Sequence, residues 1–204
     1  TQKALLNFLG ITRLHGVIGG SVGGMQVLEW CVRYPEFLRS AVAIATTMRH
    51  SALAIAFNEI ARQAIMADPH WNKGNYYETQ KPDMGLAVAR MVGHVTYLSD
   101  QAMRRKFGRK LQDKETFSFG FDGDFQIESY LRHQGSKFVN RFDANSVLYI
   151  TKAADYFDVV ERMGGIKQTD DKIKYLVISY SSDWLYPTYQ ARELVQTLKR
   201  SGQD

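Results

Sequence analysis

The sequence of 204 residues contains one cysteine, Cys31. A single thiol cannot build an internal disulfide framework and fits a reducing compartment, so a cytoplasmic location is expected. Cys31 sits in the apolar run "MQVLEWCV", which favours a buried structural thiol over a reactive one. No run of about 18 apolar residues occurs, so neither a membrane-spanning helix nor a membrane partner is expected. The opening "TQKALLNFLG" lacks the basic, apolar and small-residue regions of a secretory leader. It also lacks an initiator Met, which suggests a piece of a longer chain. There is no internal repeat, no low-complexity segment, and no metal site is expected. The net charge is +5, and basic residues are densest in "MRRKFGRK", Met103 to Lys110. Only Phe107 could stack there, so that segment reads as a solvated helix end and no nucleic-acid partner is expected. With 45% hydrophobic and 23% charged residues, the composition is that of a globular protein.

Read along the chain, "KALLNFLG" has helical periodicity and stops at Gly10. "LHGVIGG" is a short apolar run with turn residues behind it, as expected of a buried strand. Gly23 to Tyr34 reads as a helix closed by Pro35, and "SAVAIAT", Ser40 to Thr46, as a second strand. This helix–strand–helix–strand order implies a parallel sheet with crossover helices. From about Arg49 the strand signals fade. "SALAIAFNEIARQAIMAD", "MGLAVARMVGHVTYLSD", "DFQIESYLRHQGSKFVNRF" and "ANSVLYITKAADYFDV" are amphipathic helices separated by polar loops such as "PHWNKGNYYETQKPD". "KYLVISYSSDWLYP" returns to strand character, and "TYQARELVQTLKRSG" follows as a helix. The expected organisation is an α/β core over 1–48, a helical insertion over 49–165, and the rest of the core over 166–204.

The segment that carries chemistry is "HGVIGGSVGGMQVLEW", His15 to Trp30, in which two glycine pairs flank Ser21. A nucleophile must be exposed, and a sharp strand-to-helix turn lifts one side chain above a sheet. Such a turn forces strained backbone angles at the serine and leaves room only for small neighbours. Gly19 and Gly23, two before and two after the serine, meet that need, and Gly20 and Gly24 add margin. The helix starting behind the hydroxyl favours developing negative charge through its free N–H groups and dipole. The backbone N–H of Val22 would supply one oxyanion donor. "GGSVGG" lacks the Lys-Ser/Thr of a phosphate-binding P-loop and does not fit the dinucleotide fingerprint. A purely structural tight turn stays open.

A serine of this kind takes an acid and then a histidine later in the chain. Asp183, at the end of the apolar run "LVISYSSDWLYP", is the acid candidate, its alternative being a turn or cap residue. The histidines are His15, His50, His70, His94 and His133, and none follows Asp183. Without a base the hydroxyl is a weak nucleophile. Either the chain is cut short, as the helical ending "LKRSGQD" suggests, or it is inert.

"LHGVIGGSVGGMQVLEWCVRYP", "AIAFNEIARQAI", "GLAVARMVGHVTYLSD", "SYLRHQGSKFVNRFDANSVLYITKAADYFD" and "SYSSDWLYP" resemble the homoserine O-acetyltransferases of methionine biosynthesis. The resemblance runs through essentially all 204 residues. It implies an α/β-hydrolase core with a mostly parallel sheet and a helical lid. It also implies acetyl transfer from acetyl-CoA to L-homoserine through an acyl-Ser21 intermediate, with acetyl-CoA as co-substrate and no cofactor. Asp183 would orient a histidine lying beyond Asp204, and a second oxyanion donor would precede Thr1. The family's substrate arginine and its partner tyrosine match Arg90 and Tyr97. Val22 departs from the Met of many members, but the donor there is a backbone amide. The family's lid also forms dimers, so a homodimer is expected.

Arg90 stands out without the family as well. It and Tyr97 lie seven positions apart, two turns along one helical face, and a charge among "LAVA" and "MVG" is unusual. Its fork could hold a carboxylate, or it could form a structural ion pair. His94 shares the face and reads as a packing residue. Rival functions are transfer from succinyl-CoA, a serine acceptor, plain hydrolysis, or a catalytically dead module.

Overall fold

The computed structural model describes residues 1–166 and 172–203. The chain divides into two units, one formed by Thr1–His50 with Tyr156–Asp204 and the other by Ser51–Asp155.

In the first unit, α1 (Gln2–Phe8) precedes β1 (Val17–Gly20), α2 (Val22–Arg33), β2 (Ser40–Ile44), α8 (Val160–Gly164), β3 (Lys174–Ile178) and α9 (Thr188–Arg200). The strands form a parallel sheet in the order β1-β2-β3, with Val17 opposite Ala41 and Ala41 opposite Tyr175. Parallel pairing places every strand's C-terminal end on one edge, so the turns after β1, β2 and β3 share that edge. Alternation along β2 buries Ala41 and Ala43. These pack with Leu28 and Cys31 of α2, Met163 of α8 and Leu194 of α9 in one apolar core. β1 differs from the buried strand expected, since Ile18 is 73% exposed. Among the described residues β1 has a single neighbour, β2, so one of its edges is uncovered.

Periodicity suggested a return to the core at residue 166. The first unit resumes earlier, at Tyr156. The reason is packing: Phe157, Val159, Val160, Met163 and Ile166 all join the core around the sheet. An antiparallel bridge between Arg49 and Asp158, and the Val159 N–H to Met48 carbonyl bond of 3.0 Å, pair the outgoing and returning strands. Short α8 is tied to α2 by Arg162, whose guanidinium bonds both oxygens of Glu29 at 2.6 and 2.9 Å. That pairing, ahead of the opposing effect of burial, holds the Glu29 carboxyl below its usual pKa. Of the expected segment 166–204, residues 167–171 and 204 lie outside the described residues.

The second unit is helical: α3 (Ala52–Ala67), a 3-10 turn over Pro69–Gly74, α4 (Asp83–Tyr97), α5 (Asp100–Lys106), α6 (Gln126–Val139) and α7 (Ala144–Asp155). Ser51 and Ser99 cap α3 and α5, their hydroxyls accepting from the N–H groups of Ala54 and Ala102. Ile65, Tyr76, Leu86, Ala89 and Ala144 make the core, with Phe138 and Leu148 packed against it. Buried Arg62 pairs with equally buried Asp155 at 2.7 Å, which ties α3 to the end of α7. α5 ends in Arg104, Arg105 and Lys106, so the basic cluster is a helix terminus as expected. No helix among the described residues is long and apolar enough to cross a membrane.

Candidate active site

Ser21 occupies the single residue between β1 and α2, with φ 54° and ψ −123°. Positive φ is costly for a residue with a Cβ and persists only where the surroundings over-determine it. Here they do. The Ser21 N–H donates to the Ile44 carbonyl at 3.0 Å, and the Ser21 carbonyl accepts from the Met25 N–H at 3.2 Å and the Thr46 hydroxyl at 2.7 Å. The side chain is exposed and makes no capping bond to the helix, so the hydroxyl is not engaged in holding the turn. Val22 opens α2, where an N–H has no acceptor within the helix.

The glycines divide differently from the expectation. A Cβ on Gly19 would lie 2.2 Å from the Gly23 carbonyl oxygen, a backbone atom that cannot move aside. On the helix side the crowded position is Gly24, where a Cβ would lie 2.5 Å from Thr46 Cβ. A Cβ on Gly23 would meet nothing within 4 Å. Gly19 and Gly24 are therefore the required pair. Gly23 contributes its carbonyl to the tight packing, and a side chain there is not excluded.

Asp183 follows β3, on the same sheet edge as Ser21. Its Oδ1 accepts from the Leu185 N–H at 3.0 Å and the Tyr186 N–H at 2.8 Å. The turn-residue reading is thus correct for one carboxylate oxygen. Among the described residues the other, Oδ2, accepts no hydrogen bond. The turn it holds carries Tyr186 inward, where its ring is buried and its hydroxyl lies 3.3 Å from Ser21 Oγ. The Tyr186 hydroxyl is also 3.4 Å from His50 Nε2. Tyr186, Thr46 and His50 were missed from sequence. The one available signal was that a capping Asp draws in the N–H of the residue three places on.

In the second unit α4 carries Arg90 and Tyr97. The Arg90 guanidinium lies over the Phe138 ring at 4.7 Å and the Tyr97 ring at 5.6 Å. Stacking occupies the faces of the guanidinium and leaves its in-plane N–H groups unspent. Among the described residues no carboxylate pairs with it and none of its N–H groups donates, so the structural ion pair has no partner here. Tyr97 is 60% exposed. His94 packs edge-on against Tyr130 and Tyr97, with Nδ1 2.9 Å from the Tyr130 hydroxyl. Burial first, and then the charges of Arg90 and Lys106, hold its pKa below the ordinary histidine value. Tyr130 and Phe138, both on α6, are residues of this cluster that sequence reasoning did not single out.

Elsewhere, Cys31 is fully buried and desolvation pushes its thiol up to about 12, consistent with a structural role.

The sequence profile of the alpha/beta hydrolase fold family matches residues 2–203. The homoserine O-acetyltransferase of Desulfotalea psychrophila is 72% identical over 208 residues, covering 100% of this chain and 53% of that protein. The chain spans about half the length of the curated relatives it matches. Among solved structures, esterase E22 aligns over 100% of this chain and 56% of its own, with a TM-score of 0.88 and 28% identity. The homoserine O-acetyltransferase from Bacillus anthracis, 24% identical, shares the fold with a TM-score of 0.86 over 99% of this chain and 54% of its own. The chain belongs to the alpha/beta hydrolase family.

Proposed function

We propose that the protein transfers an acetyl group from acetyl-CoA to the hydroxyl of L-homoserine in two steps, as a step of methionine biosynthesis. The observation that carries this reading is the exposed Ser21 hydroxyl, held at positive φ before α2, in a chain that aligns throughout with an acetyltransferase. In the first step Ser21 Oγ adds to the thioester carbonyl while its proton passes to a histidine base. The carbonyl electron pair moves onto oxygen, where the Val22 N–H stabilises it. Collapse expels the CoA thiolate, which takes the proton and leaves acetyl-Ser21. The homoserine hydroxyl then gives its proton to the same base and adds to the ester carbonyl; collapse breaks the bond to Ser21 Oγ, which takes the proton back from the base, and O-acetylhomoserine leaves. Asp183 orients the base and offsets its charge.

Arg90 holds the homoserine carboxylate in this account, with Tyr97 beside it. The unpaired in-plane donors of Arg90 support that assignment over an ion pair. No cofactor is needed beyond acetyl-CoA as co-substrate. A homodimer through the helical unit and a cytoplasmic location complete the proposal.

A second reading is hydrolysis by the same serine, favoured by the likeness to esterase E22. The full-length protein with acetyl-CoA, with and without L-homoserine, separates them. The transferase reading expects CoA release at steady state only when homoserine is present, with O-acetylhomoserine as product. Steady acetate release unaffected by homoserine would contradict it. Succinyl-CoA and L-serine in the same assay test the neighbouring donor and acceptor.

A further inference from the structure

The turn after β2 contains a second strained residue. Ala45 has φ 44°, and its N–H donates to the Ile178 carbonyl at 2.8 Å. Positive φ is unfavourable for a residue with a Cβ, so this kink calls for a reason. Its result is visible one residue later. Thr46 is turned back against the elbow, 5% exposed, with its methyl and hydroxyl seated where a side chain on Gly24 would stand. From there its hydroxyl donates to the Ser21 carbonyl at 2.7 Å.

That carbonyl is half of a functional unit. The Ser21 C=O and the Val22 N–H belong to one planar peptide, so fixing the oxygen fixes the direction of the N–H. A donor on the oxygen also polarises the amide and strengthens its N–H as a donor. The helix supplies one such bond, from the Met25 N–H at 3.2 Å, and Thr46 adds a second from outside the helix. A threonine satisfying only its own hydroxyl would not need a strained residue to deliver it, nor a glycine opposite to admit it.

We propose that Thr46 is a positioning residue for the oxyanion donor: its hydroxyl holds and polarises the Ser21–Val22 peptide so that the Val22 N–H meets the acyl oxygen. This rests on the acyl-serine reading of Ser21 and goes beyond it. Thr46 touches neither donor nor acceptor and acts through the peptide alone.

The test uses the full-length protein, a p-nitrophenyl acetate burst to measure acylation per active site, and phenylboronic acid as a tetrahedral adduct of Ser21. Thr46→Val keeps the shape and removes the donor, whereas Thr46→Ser keeps the donor. Losing an oxyanion donor outright costs about 100- to 1,000-fold. Loosening one should cost roughly 10- to 100-fold in the burst rate. Ester KM and burst amplitude should stay unchanged, boronate affinity should fall by a similar factor, and Ser should restore most of the rate. A Val variant with wild-type burst rate and boronate affinity overturns the proposal. So does a variant that loses amplitude and melting temperature while its remaining sites react normally, which would make Thr46 structural only. Wild-type protein showing no burst and no acyl adduct overturns the acyl-serine reading itself, and this inference with it.

Discussion

Ser21 and Arg90 are held in opposite ways. At Ser21 the backbone is bent into positive φ and pinned by bonds to Ile44, Met25 and Thr46, with Gly19 and Gly24 keeping the space clear. Arg90 has no bond of this kind among the described residues and rests against the rings of Phe138 and Tyr97. The first arrangement fixes a direction, which suits a nucleophile and an oxyanion donor. The second keeps a cation in place while its donors wait for a partner, which suits a carboxylate that arrives and leaves. Strain at one site and unspent hydrogen bonds at the other are two ways of storing a function in a fold.

The largest expected effect breaks the first arrangement. Gly19→Ala puts a methyl group into the Gly23 carbonyl, so it should cost several kcal/mol, about 3 or more, or prevent folding. Gly23→Ala should be neutral or stabilise by up to about 1 kcal/mol, since alanine favours the helix and its methyl meets open space. Chemical denaturation of both variants checks the contrast, and equal destabilisation would mean the crowding at Gly19 is misassigned.

Next comes the second arrangement. Arg90→Ala should leave the acetyl-enzyme burst intact and depress turnover with homoserine by about 30- to several-thousand-fold, the equivalent of roughly 2–5 kcal/mol. Lys should rescue poorly, because it can neither stack on Phe138 nor offer two parallel donors. Pre-steady-state CoA release followed by steady-state turnover separates the two phases.

The smallest effect concerns His94. Its folded pKa lies below the value near 6.5 of an unfolded histidine, through burial and the neighbouring Arg90 and Lys106. The unfolded chain therefore takes up the proton first as pH falls. The stability tied to neutral His94 is complete above that unfolded pKa and is lost as pH drops through the folded one. His94→Gln should flatten the fall in melting temperature between about pH 7.5 and pH 5. An unchanged slope would place the titrating group elsewhere.

Much of this was legible in the sequence because it is local. The strand-to-helix turn at Ser21, the helical period of α3, α4, α6 and α7, and the acidic residue after β3 all follow from neighbouring residues. What was not legible depends on approach from elsewhere in the chain. Whether Gly23 or Gly24 must be small is decided by Thr46, which arrives from the end of β2. Whether Arg90 finds a carboxylate is decided by how α4 and α6 pack, and they bring it a phenyl ring. The return to the first unit at Tyr156 was hidden because α8 is too short to show a period, and only its burial of Met163 reveals where it belongs.

The most direct test of the account is the intact mass of the full-length protein after brief exposure to acetyl-CoA without acceptor, for wild type, Ser21→Ala and Arg90→Ala. The account predicts one acetyl group per chain on wild type and on Arg90→Ala, removed by L-homoserine quickly in the former and slowly in the latter, and none on Ser21→Ala. A stoichiometric acetyl group on Ser21→Ala, or none on folded Arg90→Ala, would contradict it.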